Sequence, residues 1–127
     1  MSVLDCIGNT PLVKIEVINP MPAVTILAKL EGNNPGGSVK DRIAHYMIKD
    51  TEDAGLINKG DTILEATSDN TGIGLAMVGA ARGYRVKLVM PECVSLERRK
   101  VLEPLEQSFC SVRATKALTG RYGLRIR

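Results

Sequence analysis

Residues 62–90 read TILEATSDNTGIGLAMVGAARGYRVKLVM, and this stretch decides the fold class. It predicts a strand at 62–66, a helix of small apolar residues at 72–82 that ends at Gly83, and a second strand at 85–90. The glycines and alanines of the helix allow its backbone to lie close against a sheet. A strand, a helix and a second strand in this order indicate the crossover unit of a parallel sheet.

The segment before this unit has the same order of elements. Residues 25–30 indicate a strand, and the turn formers at 32–37 indicate a loop. Ser38 and Asp41 have the spacing of a capping box at the start of a helix predicted over residues 39–54.

Gly55 is placed to end that helix in the left-handed region, with Leu56 folding back as the hydrophobic contact. After the crossover unit, Ser95 is expected to cap a further helix that runs to Pro104. The whole pattern predicts an α/β fold, a three-layer parallel sheet with helices on both faces.

The end of the chain departs from this pattern. Residues 108–112 can serve only weakly as another strand, and residues 113–127 are basic and interrupted by glycine. We therefore predict two parts, a folded part over 1–112 and an irregular basic tail over 113–127.

Composition excludes several function classes. Of 127 residues, 44% are apolar, and the longest apolar run, at 73–81, is too short to cross a bilayer. No signal-peptide pattern opens the sequence, so a cytoplasmic location without membrane partners is expected. The net charge of +3 comes from the tail, which has no repeated pattern of stacking groups, and no nucleic-acid partner is expected.

The cysteines and the single histidine do not indicate a metal site. Cys6, Cys93 and Cys110 match neither a disulfide framework nor a zinc ribbon, and we expect three buried, reduced thiols. His45 has no second ligand at a suitable spacing and is expected on the surface of its helix.

Two loops at strand ends hold the candidate chemistry. The first loop, Gly32 to Lys40, cannot be a Walker P-loop, because Ser38 occupies the position where that motif requires a lysine. Lys40 instead lies in the first turn of a helix, where the dipole favours a free amine suited to Schiff-base formation, although such lysines are also commonly just solvated. In the second loop, Thr67, Ser68 and Thr71 could bind a carboxylate at a helix N-terminus, or could simply cap the helix.

Several motifs occur together in a fixed order along the chain: IGNTPL at 7–12, NPGGSVKDR at 34–42, TSDNTG at 67–72, MP at 90–91 and ERR at 97–99. In this order they resemble the cysteine synthase (O-acetylserine sulfhydrylase) branch of the pyridoxal-phosphate enzymes with the tryptophan synthase β fold, which includes cystathionine β-synthase. The resemblance covers residues 4–103, the N-terminal part of such an enzyme.

The resemblance implies pyridoxal 5′-phosphate as cofactor. Lys40 matches the lysine that holds the cofactor and removes the substrate α-proton, and Asn70 matches the asparagine bonded to the cofactor ring oxygen. Thr67, Ser68 and Thr71 match the loop that grips the carboxylate of an amino-acid substrate. The implied reaction is β-replacement, in which O-acetylserine and sulfide give cysteine and acetate.

This sequence departs from the family in two ways. Asp69 stands where the family has glycine, which predicts weaker binding of the substrate carboxylate. The chain is also much shorter than the family and lacks a match to the cofactor's phosphate loop, which favours an inactive chain. The resemblance ends abruptly after Leu102, which favours a reading-frame shift near residue 104. The alternative is a non-catalytic fragment or pseudoenzyme that acts through chain–chain contact, and a homodimer is possible.

Overall fold

The largest sheet of the described residues is parallel and has three strands. The computed structural model describes residues 1–67, 69–91 and 108–112. Within them β3 (Thr62–Ala66), β4 (Arg85–Pro91) and β5 (Ser108–Val112) lie side by side in that order, all parallel. The predicted α/β class is confirmed, and the weakly indicated strand at 108–112 is formed.

A separate two-stranded sheet precedes it. β1 (Leu12–Lys14) pairs antiparallel with β2 (Leu27–Lys29), so the strand predicted at 25–30 is not a member of the parallel sheet. The Ile15 N–H donates to the Ile26 carbonyl at 2.9 Å and prolongs the pairing. No helix lies between these two strands in the chain, so they can return directly beside each other, which favours antiparallel pairing over a crossover.

The first helix, α1 (Lys40–Asp53), lies within one residue of the predicted bounds at each end. Gly55 ends it with φ of +67°, as predicted, and its N–H donates to Glu52 while the Leu56 N–H donates to Thr51. Leu56 itself is 75% exposed, so the predicted hydrophobic contact is wrong. The backbone hydrogen bonds of this left-handed ending close the helix without it.

The predicted capping box at the start of α1 is also wrong. Ser38 Oγ accepts the N–H of Lys40 at 3.1 Å, but Asp41 does not reach back to the N–H of Ser38. Its carboxyl turns inward and accepts the N–H of Gly36 at 2.5 Å. The two side chains therefore hold different parts of the loop.

The second helix, α2 (Asn70–Arg82), lies between α1 and the sheet and begins two residues before the predicted start. Its glycines allow the close approach that the sequence predicts, since a Cβ on Gly79 would lie 2.5 Å from Val86 Cγ2. Gly83, with φ of +84°, ends the helix as predicted. Among the described residues the core consists of side chains from both helices, from β4 and from the residue just before it: Ala44, Ile48, Leu75, Ala76, Val78, Tyr84, Val86, Leu88 and Met90.

Two predictions about single residues are corrected. Cys6 is an exposed free thiol, because it lies on a terminal turn outside the core. His45 is half-buried rather than on the surface, and burial lowers its pKa.

Some predictions lie outside the described residues: Ser68, Cys93, the Cys110 side chain, the helix from Ser95 to Pro104 and the tail. In the part of the chain that is described, no helix has the length and apolar character needed to cross a membrane.

Candidate active site

Lys40 is the first residue of α1 and is partly exposed. Its backbone is held from the N-terminal side, where Ser38 Oγ accepts its N–H at 3.1 Å. Its Nζ forms no hydrogen bond or ion pair with any described residue. The backbone of this lysine is therefore held in place, while its side chain is unpaired among the described residues.

Helix α2 packs directly on this lysine. A Cβ on Gly74 would lie 3.0 Å from the carbonyl oxygen of Lys40 and 3.1 Å from the Cβ of Ala44, so the glycine permits contact between the two backbones. Asn70 lies four residues earlier on the same helix, about 6 Å along its axis. Lys40 therefore contacts α2 about one helical turn after the start of that helix.

The loop before α2 is organised by its own short side chains. Thr67 Oγ1 accepts the N–H of Asp69 at 3.2 Å, and the Asp69 carboxylate accepts the N–H of Asn70 at 2.8 Å. Asp69 is thus the N-cap of α2, and its backbone is extended, with φ of −135°, so no glycine conformation is required there. This exposed carboxylate therefore already accepts a hydrogen bond from one of the helix N–H groups that the sequence predicts would bind a ligand.

The predicted site residues differ in what they already contact. Among the residues described by the structure, the side chains of Lys40, Asn70 and Thr71 have no hydrogen-bond partner. The hydroxyl oxygen of Thr67 already accepts one hydrogen bond, but its O–H remains available as a donor. Ser68 lies outside the described residues.

A cluster of polar side chains anchors the lysine loop to the N-terminal segment. Arg42, two residues after Lys40, donates to both oxygens of Glu31, at 2.8 and 3.1 Å, and to Thr10 Oγ1 at 3.0 Å. Thr10 Oγ1 also donates to Glu31 at 2.8 Å. Asn34 completes the cluster by donating to Glu31 at 2.8 Å and accepting the N–H of Gly8 at 2.8 Å.

The charges of this cluster stabilise each other. The hydrogen bonds from Arg42, then from Asn34, lower the pKa of Glu31 from 4.5 to about 2. Glu31 in turn raises the pKa of Arg42. The carboxylate therefore stays ionised over the whole ordinary pH range, and Arg42, which follows Lys40 on α1, is held in one place.

Sequence reasoning did not assign a role to this cluster. Thr10, Asn34 and Arg42 all lie within the quoted motifs, which was the available signal, but Glu31 lies outside them. Apart from the Asn34–Glu31 pair, the partners are 11 to 32 residues apart along the chain, so only the fold brings them together.

No metal centre is apparent in the same region. Within residues 1–67, 69–91 and 108–112, no three histidine, cysteine, aspartate or glutamate side chains are grouped as metal ligands would be.

The family is shown by comparison with known proteins. A model of the family described as "Pyridoxal-phosphate dependent enzyme" matches residues 3–122, and the chain belongs to this family. The match extends past residue 103, where the motif-based resemblance stops. Pyridoxal phosphate, the cofactor expected from the motifs, is confirmed as the cofactor of the family.

Individual relatives give a narrower likeness. The chain is 52% identical over 118 residues to a cysteine synthase of Flavobacterium sp., covering 92% of this chain and 38% of that protein. It is 46% identical over 127 residues to cysteine synthase B of Escherichia coli, covering 99% of this chain and 42% of that one.

A solved structure shares the fold. The crystal structure of a hydrogen sulfide-producing enzyme from Fusobacterium nucleatum superposes with a TM-score of 0.81 at 50% identity, covering 88% of this chain and 37% of that one. The chain therefore spans about 40% of the length of these relatives.

The residues present fit part of a pyridoxal-phosphate site. An aldehyde cofactor needs a reactive amine and a nearby hydrogen-bond donor for its ring oxygen. Lys40 offers the amine and Asn70 an amide, and neither side chain has a partner among the described residues. This fit covers the aldehyde and ring-oxygen side of the cofactor.

Proposed function

We propose that this chain is the lysine-bearing part of a cysteine synthase-type enzyme, with Lys40 as the residue that binds pyridoxal phosphate. The observation that supports the proposal is the contact between the Lys40 backbone and Gly74 of α2, in a lysine whose Nζ has no partner among the described residues. The proposed reaction is β-replacement on O-acetylserine with sulfide as the second substrate.

Each residue has a proposed task. When bound, the cofactor supplies an electron sink for the substrate α-carbon. Lys40 Nζ would hold the cofactor at its aldehyde carbon and would take the proton from the substrate α-carbon. Asn70 orients the cofactor through its ring oxygen. The hydroxyl groups of Thr67, Ser68 and Thr71 donate to the substrate carboxylate.

The Asp69 carboxylate works against substrate binding in this arrangement. It lies on the N–H of Asn70 at 2.8 Å, at the helix end where the substrate carboxylate is proposed to bind. Two negative charges at one helix N-terminus repel each other. We therefore expect weak substrate binding, and weaker cofactor binding than in relatives about two and a half times as long.

The test traps the cofactor on the protein. The full chain is mixed with pyridoxal phosphate, the adduct is reduced with borohydride, and the modified lysine is located by mass spectrometry. We expect the label on Lys40, a visible absorbance band before reduction, and loss of both in Lys40→Ala. Lys59→Ala, which changes an exposed lysine, is the matched control. Labelling spread over the exposed lysines and unchanged in Lys40→Ala would refute the proposal.

A second candidate is a non-catalytic chain that acts through association. It is favoured by the exposed apolar side chains of the N-terminal segment, where Leu12, Val17 and Ile18 are 59%, 100% and 79% exposed. Such a surface on a lone chain is typical of an interaction site. Sedimentation of the full chain with and without cofactor tests this candidate. A monomer at all concentrations would contradict it, and labelled Lys40 with turnover would favour the enzyme.

A further inference from the structure

Asp41 is a charged residue buried in the first turn of α1. Acidic residues at this position are usually exposed to solvent, and their negative charge interacts favourably with the positive end of the helix dipole. Asp41 is instead 0% exposed. It is also the direct neighbour of Lys40, so its contacts bear on how that lysine is held.

The Asp41 carboxyl fits beneath the glycine turn of the loop. Its Oδ2 accepts the N–H of Gly36 at 2.5 Å. Its Oδ1 has no hydrogen-bond partner among the described residues and lies where a Cβ of Gly36 would be. Any side chain at residue 36 would collide with this carboxyl, so Gly36 and Asp41 are complementary in shape.

The hydrogen bond between Gly36 and Asp41 closes a small ring of chain that contains Lys40. Within the ring, Gly37 has φ of +79°, and its N–H donates to the Asn34 carbonyl at 2.8 Å. Ser38 Oγ accepts the N–H of Lys40. The Asp41 contact spans five residues and is the bond that fastens the turn to the helix.

We infer that Asp41 is a positioning residue for Lys40, because its carboxyl holds the Gly36–Gly37 turn against α1 and so fixes the backbone from which the Lys40 amine projects. The inference rests on the proposed role of Lys40 and deepens it. Asp41 touches neither substrate nor cofactor in this account and acts through the backbone alone.

The energetics of burial support this role over a purely stabilising one. Burial raises the pKa of Asp41, and the N–H of Gly36 lowers it by a smaller amount. A buried carboxyl with one oxygen unpaired among its described neighbours is unfavourable for folding. Its benefit is therefore the geometry of the turn, which a non-polar side chain could not hold.

Two variants test the contact from its two sides. Asp41→Ala removes the acceptor, whereas Gly36→Ala introduces a Cβ that overlaps the carboxyl. In the double variant the space left by the carboxyl receives the new Cβ. We expect the effect of Gly36→Ala to be large in the native chain and to vanish in the Asp41→Ala background, which is the mark of direct coupling.

The readouts are amide hydrogen exchange at Gly36 and the rate of adduct formation with pyridoxal phosphate. Asp41→Ala is expected to speed the exchange and slow the adduct about tenfold each, the loss of roughly 1.4 kcal/mol. Ile48→Ala, a buried residue on the same helix away from the turn, is the control for lost stability. It should lower the melting temperature and leave both rates, measured well below that temperature, unchanged.

Each outcome decides the inference. Native exchange at Gly36 and a native adduct rate in Asp41→Ala overturn it, as does an equal response to Ile48→Ala. Should Asp41→Ala not fold, Gly36→Ala with Asp41 intact gives the same decision. If Lys40→Ala forms the adduct as well as the native chain does, the proposed function fails, and exchange at Gly36 alone decides whether Asp41 holds the turn.

Discussion

Gly74 and Lys40 are in backbone contact: a Cβ on Gly74 would lie 3.0 Å from the carbonyl oxygen of Lys40. The missing side chain lets α1 cross α2 closely at Lys40, the residue proposed to bind the cofactor. The candidate site is therefore built on a helix–helix contact, and its geometry depends on the size of one residue in α2.

Enlarging Gly74 tests this dependence. Gly74→Leu should push the helices apart and lower the free energy of unfolding by about 1–3 kcal/mol, the usual effect of overpacking. Adduct formation at Lys40 should slow at the same time. Gly32→Ala is the control, since its new Cβ would lie 4.0 Å from the Gly37 carbonyl oxygen, an ordinary contact distance, and urea unfolding is the measurement. Native stability and reactivity in Gly74→Leu would contradict the contact.

Glu31 predicts the response of the fold to acid. Its pKa is 4.5 ordinarily and about 2 in the folded chain, so the folded state favours the ionised form. Its stabilising effect is complete above pH 4.5 and is lost as the pH falls through about 2. Glu31→Gln should therefore be less stable than the native chain at neutral pH, and the difference should shrink across this window.

Urea unfolding measured at a series of pH values checks this. Glu16→Gln, which changes an exposed carboxylate paired only with Lys14 among the described residues, should not alter the profile in this window. A native and a Glu31→Gln chain that differ by the same amount at every pH would show that Glu31 is not held ionised by Arg42.

Replacing Asp69 is expected to strengthen substrate binding. Asp69→Gly should improve binding of an amino-acid substrate about fivefold, because it removes roughly 1 kcal/mol of repulsion in a solvated site. The cost to α2 should be only a few tenths of a kcal/mol, since glycine is an acceptable N-cap. Titration of the cofactor-loaded chain with O-acetylserine measures the affinity.

Asp69→Asn separates charge from capping, since its amide oxygen can still accept the N–H of Asn70. It should share the gain in affinity without any loss of helix stability. If neither variant binds substrate more tightly, in chains that fold and hold cofactor, repulsion by Asp69 is not the limiting factor.

Replacing Asn70 is expected to weaken cofactor binding without lowering the stability of the fold. Because its side chain has no partner among the described residues, Asn70→Ala should change the free energy of unfolding by less than about 0.5 kcal/mol. It should weaken the binding of pyridoxal phosphate about tenfold through the loss of one hydrogen bond. Asn33→Ala, an exposed asparagine near the lysine loop, is the control. Equal affinities for cofactor in the two variants would remove Asn70 from the site.

The local elements of this fold could be predicted closely. The helix predicted at 39–54 is found at Lys40–Asp53, and the strand predicted at 62–66 is found at Thr62–Ala66. Helical spacing, strand-forming residues and terminating glycines act over a few residues, so the sequence displays them directly. The strand near residue 27 was predicted, but its partner was not, because pairing is a contact between distant segments.

The candidate site divides in the same way. Lys40 and Asn70 could be named as candidates because they lie in the quoted motifs at 34–42 and 67–72. The inward turn of Asp41 and the Glu31–Arg42 pair were missed, since the capping spacing of Asp41 fits a different partner and Glu31 lies outside the motifs. Both depend on which side of the loop faces the interior.

The amino-acid order alone determined the α/β class, the bounds of most helices and strands, and the pyridoxal-phosphate family. Only the tertiary structure decided that β1 and β2 form a sheet of their own, that Gly74 contacts the backbone of Lys40, and that Asp41 is buried under the glycine turn. The physical reason is the range of the forces. Propensity and chain stiffness act between neighbours, whereas burial and hydrogen bonding across the molecule depend on how the whole chain packs.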